Sequence, residues 1–197
     1  MKPYAESCDQ NRDPILEQLR PLLAAASTVL EIGSGTGQHA VYFSTHLPHL
    51  HWQPSDRGEN LPGIRLWCAE VGLANLKAPL ELDVSRQPWP AIEADAVFSA
   101  NTAHIMAWPQ VEAMMDGIGK LLPDGGLFLL YGPFNYNGRY ASDSNRRFDG
   151  WLKERDPLSG VRDFESLDEL AGQAGMRLQD DIAMPANNRI LCWRKSG

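Results

Sequence analysis

Residues 28–40 read TVLEIGSGTGQHA, and no other stretch constrains the fold of this chain as tightly. An apolar run is followed by Gly33, Gly35 and Gly37, and then by a helical pattern. A strand that turns through closely spaced glycines into a helix opens many α/β sheets, because the turn lets backbone approach a ligand.

The rest of the chain repeats the alternation. The pattern predicts a helix over RDPILEQLRPLL, strand one at TVLEIG, and a helix over GQHAVYFSTHL. It predicts strand two at HLHWQPSD, a helix over IRLWCAEVGL, strand three at APLELDV and strand four at ADAVFSAN. A helix over PQVEAMMDGIGKLL leads to strand five at LFLLYGPF, apolar throughout as a central strand should be. A polar segment with a helix around NRRFDGWLKERD comes next, then SLDELAGQAG with Ser166 as its expected N-cap. MRLQDDIAM and NRILCWRK, joined by PANN, suit an antiparallel hairpin. The expected fold class is α/β: a Rossmann-like, mostly parallel seven-stranded sheet with helices on both faces and a C-terminal antiparallel hairpin. Residues 1–197 are expected to form one domain.

Composition narrows the partners. A formal charge of −7 disfavours nucleic acid, which is held mainly by Lys and Arg. A small-molecule partner is therefore expected. Three widely spaced cysteines form no metal-like cluster and fit a reducing compartment. No apolar run approaches the ~20 residues that span a bilayer, and the N-terminus lacks a signal-peptide core. A soluble cytoplasmic protein is the expectation. His46, His49 and His51 match no usual zinc spacing, so no metal site is assigned.

The glycine turn does not by itself choose its ligand. A dinucleotide fingerprint places a third glycine at position 38, where this chain has Gln38. Glu31, two residues before Gly33, would repel a pyrophosphate but can accept from a cationic amine. S-adenosylmethionine carries an ammonium and a sulfonium and has no phosphate. Asp56, nineteen residues after Gly37, ends strand two, where an acid can hold ribose hydroxyls. Asp83, near the end of strand three, can accept from an adenine amine, with Val84 packing on the ring. In SANTAHIMAW, Asn101 and Thr102 could line the cofactor side. His104 is suited to general-base work or to holding the loop. After strand five, Tyr131, Asn135, Tyr136 and Asn137 are candidate acceptor contacts, with Tyr131 a second candidate for proton transfer. Asn187 and Asn188 are candidates of the same kind, or turn residues.

NRDPILEQL, VLEIGSGTGQHA, WQPSD, APLELDV, NTAHI, YGPFNYNG, GVRD and MPANNR, taken in order, resemble the methyltransferase-like protein twenty-six family. The resemblance spans nearly the whole chain and implies a Rossmann-like domain that binds S-adenosylmethionine. By analogy with class I methyltransferases it places Glu31, Gly33, Ser34, Gly35 and Gly37 in the methionine and ribose cradle, Asp56 at the ribose and Asp83 at the adenine. Arg12 follows Asn11 where the family usually has Lys. Residues 1–22 are expected to fold over the cofactor as a lid, with Tyr4, Asn11 and Arg12 in reach, and residues 135–163 to form a substrate-side insertion. The expected activity is methyl transfer to a small-molecule acceptor. A non-catalytic S-adenosylmethionine-binding regulator and a nicotinamide oxidoreductase are the alternatives.

Overall fold

The computed structural model describes residues 2–197. Two compact units divide it, one ending at Ser99 and one running from Ala100 to Gly197.

The first unit begins with α1 (Glu6–Leu22), which starts six residues before the expected Arg12. Glu6 and Asp9 in its first turn suit the positive end of the helix dipole. Pro14, expected near the start, lies inside the helix and leaves the Gln10 carbonyl without its intrahelical donor. Ile15, Leu16 and Leu19 are buried on one face and offset that loss. Strand β1 (Thr28–Ile32) leads through the glycine turn to α2 (Gln38–His46). Next come β2 (His51–Asp56), α3 (Leu61–Val71), β3 (Leu80–Glu81) and β4 (Ala96–Ala100).

β1 pairs in parallel with β2 on one side and β4 on the other, and β2 pairs in parallel with β3. The chain thus reverses its direction of travel through the sheet at β1, and its carboxyl end is the switch point where such sheets bind ligands. The expected seven-residue strand APLELDV shrinks to two residues. Pro54 in the facing strand has no N–H to donate, and pairing resumes only at Ser55–Leu80. The side chain of Gln53 fills part of the gap, donating to Ala78 O at 2.7 Å.

Phe43, Trp52 and Phe98 are fully buried and mutually in contact, with ring centroids 5.4 to 5.9 Å apart. Such clusters add edge and offset contacts to simple area burial.

The second unit contains α4 (Trp108–Leu121), β5 (Leu127–Gly132), β6 (Phe134–Asn135), α5 (Asp143–Arg155), β7 (Arg162–Asp163), α6 (Phe164–Gln173), β8 (Met176–Met184) and β9 (Asn188–Lys195). LFLLYGPF therefore splits after Gly132, and β6 pairs with β7 in a separate two-stranded ribbon. α6 starts at Phe164 after an extended Asp163, so Ser166 lies inside the helix and the expected cap does not form. Gly119 lets α4 approach α6: a methyl there would fall 2.5 Å from Ala174 O. β9 runs antiparallel to both β5 and β8, as the hairpin pattern predicts. The seven-stranded sheet has the order β3-β2-β1-β4-β5-β9-β8.

Candidate functional site

The turn after β1 is built by its glycines. Gly33, Gly35 and Gly37 have φ of 73°, 57° and 94°, values that L side chains rarely adopt. Gly33 N and Ser34 N both donate to Ser55 O, which ties the turn to β2. Two of the glycines differ in surroundings. A methyl on Gly37 would meet Ile64 Cα at 3.1 Å, so this glycine lets α2 and α3 approach. A methyl on Gly35 would meet nothing within 4 Å. That position opens onto free space, as a ligand cradle requires.

Asp56 is bonded to this turn. Its Oδ2 accepts from Gly35 N at 2.7 Å, and its Oδ1 accepts from Arg57 N and Asn60 Nδ2, each at 2.8 Å. Oδ2 keeps a lone pair for a further donor.

Glu31 is buried, with 2% of its surface exposed. Its Oε2 accepts from Ser34 Oγ at 2.8 Å and from Trp52 Nε1 at 3.0 Å. Oε1 receives no hydrogen bond among the described residues. Burial pushes the carboxyl up to about 7; the Trp52 and Ser34 donors oppose that shift, and the charge of Asp56 adds to it. A carboxylate held this way gains from any cation that reaches Oε1.

Gln38, whose only signal in the sequence was that it is not glycine, proves to be an anchor. Its Oε1 accepts from Ala5 N at 2.6 Å and Thr36 Oγ1 at 3.0 Å, and its Nε2 donates to Asp9 Oδ1 at 3.4 Å. His39 follows it, buried, with Nε2 2.7 Å from Asn11 Oδ1. The start of α2 therefore holds the start of α1 beside the glycine turn. Arg12 donates to Asp9 Oδ1 at 2.7 Å and lies over the Tyr42 ring, while Tyr4 donates to Asp9 Oδ2 at 2.6 Å. The bonds of Asn11 and Arg12 thus go to α1 and α2. Cys8 is half-buried and burial pushes its thiol up to about 11, so it is no ready nucleophile.

Asp83 caps its own turn. Oδ1 accepts from Ser85 N at 3.0 Å and Oδ2 lies 3.4 Å from Arg86 Nε. Val84 is buried beside it.

In the second unit, Asn101 follows β4 with φ 59°, a left-handed value for a non-glycine residue, and its N–H donates to Tyr131 O at 2.9 Å. Such strain clusters at functional sites. A methyl on Gly132 would meet His104 Nδ1 at 3.7 Å, Phe134 Cζ at 3.8 Å and Asn101 Oδ1 at 4.0 Å, so these three side chains converge on the end of β5. Thr102 and Tyr131 are buried close by in the chain. His104 is buried, and burial, with a smaller effect of the Arg162 charge, pulls its pKa down to about 4. Its imidazole is neutral at pH 7. Its ring meets Phe148 edge-on at 5.2 Å.

Arg162, absent from the sequence-level candidates, supports this loop: Nε donates to Ala103 O at 3.0 Å, and Nη2 donates to Leu158 O at 2.8 Å and to Met106 O. The other candidates divide. Asn135 is buried on β6. Tyr136 donates to Asp181 Oδ2 at 2.8 Å and stacks on Phe164, and burial together with Asp181 raises its phenol. Asn137 N donates to Glu165 Oε1, Asn187 Nδ2 to Ser144 Oγ, and Asn188 Nδ2 to Pro185 O. Asn137, Asn187 and Asn188 are thus engaged in holding loops. His46 and His49 bond backbone carbonyls, and no group of three metal-binding side chains occurs among the described residues.

Solved structures share this architecture. The apo S-adenosylmethionine-dependent methyltransferase SibL matches with a TM-score of 0.82 at 20% identity, over 97% of this chain and 56% of that one. Human N-acetylserotonin methyltransferase in complex with SAM matches at 0.78 and 20%, over 98% and 53%. An O-methyltransferase family protein from Burkholderia thailandensis matches at 0.79 and 15%, over 94% and 58%. The chain spans just over half the length of these structures, and at such identities the likeness is one of fold: the class I methyltransferase fold. A family model described as "Protein of unknown function (DUF938)" matches residues 2–195, and the chain belongs to that family.

Proposed function

We propose that the chain is an S-adenosylmethionine-dependent methyltransferase acting on a small-molecule acceptor, as its resemblance to the methyltransferase-like protein twenty-six family implies. One observation carries the reading: a buried Glu31, bonded through Oε2 only, two residues before a turn that is open at Gly35. A carboxylate so placed favours a cationic ligand over a pyrophosphate.

The residues present fit the cofactor. Glu31 Oε1 would accept from its ammonium, Gly33, Ser34 and Gly35 would cradle its methionine and ribose while Gly37 packs α2 on α3, Asp56 Oδ2 would accept from a ribose hydroxyl, and Asp83 with Val84 would meet the adenine. Bound S-adenosylmethionine supplies a methyl group on a sulfonium, an electrophile that needs no further activation. The tethers of Ala5, Asp9 and Asn11 to Gln38 and His39 support a covering role for the described part of segment 1–22.

On the acceptor side, the neutral imidazole of His104 accepts a hydrogen bond from the acceptor's X–H and orients the nucleophile. With a pKa near 4 it holds that proton only transiently before solvent takes it. Asn101 and Thr102 would line the cofactor side, while Tyr131 and the insertion 135–163 complete the proposed acceptor side. No helix among the described residues is long and apolar enough to cross a membrane.

The test is thermal unfolding with S-adenosylmethionine, S-adenosylhomocysteine and NAD, since a ligand of the native state raises its midpoint. Adenosyl ligands should shift the midpoint and NAD should not; the reverse pattern sinks the reading. Methyl transfer to a component of a metabolite pool, monitored with labelled cofactor, then separates an enzyme from a mere binder.

A further inference from the structure

The β6–β7 ribbon holds an unusual pair. Asn135 and Asp163 are register partners in a parallel pair, so their side chains leave the same face of the ribbon. Asn135 is 91% buried, and Asn135 Oδ1 and Asp163 Oδ1 are both buried without any hydrogen-bond partner. The remaining bond of Asn135 is a long one, from Nδ2 to Val161 O at 3.4 Å.

Asp163 is also the N-cap residue of α6, and aspartate there normally accepts from the first turn of the helix. Its side chain makes no such bond. Nor does a protein cation neutralise it among the described residues. Arg162, the next residue along β7, points to the opposite face and is bonded to the Ala103, Met106 and Leu158 carbonyls. Arg189 is paired with Asp181 at 2.7 Å.

Two buried acceptor oxygens on register partners, one of them a carboxylate oxygen, are thus left without a donor, which costs free energy until one arrives. Two oxygens are too few for calcium, which takes six to eight. A positively charged nitrogen bearing at least two N–H groups would satisfy both and also neutralise the carboxylate, which a water molecule would not. We infer that Asn135 and Asp163 recognise a primary ammonium or guanidinium group carried by the methyl acceptor. The inference rests on the methyltransferase reading for the word acceptor, but the cation site itself does not depend on it.

The full chain is tested by thermal unfolding and calorimetric titration with n-butylamine, n-butylguanidine and butyltrimethylammonium. The third probe keeps the charge and the chain but has no N–H. Saturable stabilisation is expected with at least one of the first two and none with the third. Asp163→Asn, nearly isosteric, should weaken that response about tenfold or more, the scale of losing a charge-assisted hydrogen bond. No response in the wild type, an equal response to butyltrimethylammonium, or an unchanged response in Asp163→Asn each overturns the inference. S-adenosylhomocysteine is run in parallel. A response to it without an amine response overturns the cation site alone; an amine response without it overturns the methyltransferase reading alone.

Discussion

His39 Nε2 and Asn11 Oδ1 lie 2.7 Å apart, joining the first turn of α2 to the middle of α1 beside the glycine turn. Because His39 is buried, this contact is worth more than a surface one: removing a partner strands a buried polar group, at ~1–3 kcal/mol. Asn11→Ala should lower stability by about that amount and speed amide exchange over residues 5–13. If those amides keep their protection, α1 is held by its apolar face alone. On the proposed function the same variant should also bind S-adenosylmethionine more weakly.

Acid should destabilise the protein through two histidines. His39 and His104 have pKa values pulled down to about 4 by burial. The unfolded chain protonates them near 6.5, so below that pH the unfolded state binds more protons. Their contribution is complete above about pH 6.5 and is lost as pH falls through about 4. At about 1.4 kcal/mol per pH unit, each contributes up to ~3 kcal/mol. Urea unfolding from pH 7.5 to 4 should show this slope, and His39→Gln and His104→Gln should each flatten it. An acid limb unchanged in both variants would refute the assignment.

Glu31 works in the opposite sense. Its raised pKa of about 7 means that ionisation is disfavoured in the folded state, so its contribution is complete below about pH 4.5 and is lost as pH rises through about 7. Glu31→Gln should therefore make the free protein more stable at pH 8, by up to ~3 kcal/mol. It should at the same time weaken S-adenosylmethionine binding by about 10–100-fold, as loss of a charged hydrogen-bond partner does. A variant less stable at pH 8 and equally good at binding contradicts both halves.

Gly35 and Gly37 should separate cradle from packing. Gly37→Ala combines a φ of 94° with contacts near 3.1 Å to α3, and should cost ~2–4 kcal/mol of stability. Gly35→Ala meets open space and should cost ~1–2 kcal/mol for its left-handed φ. Its larger effect should fall on ligand affinity. Equal losses of stability in the two variants would mean that Gly35 is also a packing glycine.

Arg162 bonds three backbone carbonyls, two of them flanking His104 in the chain. Arg162→Lys keeps the charge but loses the planar fork. Amide exchange over residues 103–106 should rise in this variant. In an assay of methyl transfer, kcat should fall more than KM rises if the loop orients the nucleophile.

What was legible in the sequence was what local pattern controls. The alternation of strand and helix, the glycine turn with Glu31 before it, and the closing β8–β9 hairpin all follow from periodicity and from the few residues that tolerate tight turns. Each depends on near neighbours in the chain. Where the pattern misled, a distant residue intervened. Pro54 in β2 shortened β3, and an extended Asp163 started α6 two residues before the expected cap. Gln38 and His39 drew α1 back to Glu6, although Pro14 marked a later start.

Only the tertiary structure decided the partners. Asp56 and Asp83 look alike in sequence, each an acid at a strand's end. Folding bonds one to Gly35 and turns the other to its own turn at Ser85. It also set Asn135 beside Asp163, twenty-eight positions apart in the chain, and left both without a donor. A side chain's chemistry is written in its residue type. Its hydrogen-bond partner depends on which distant backbone comes to lie within 3 Å, and burial then decides how much that partner matters.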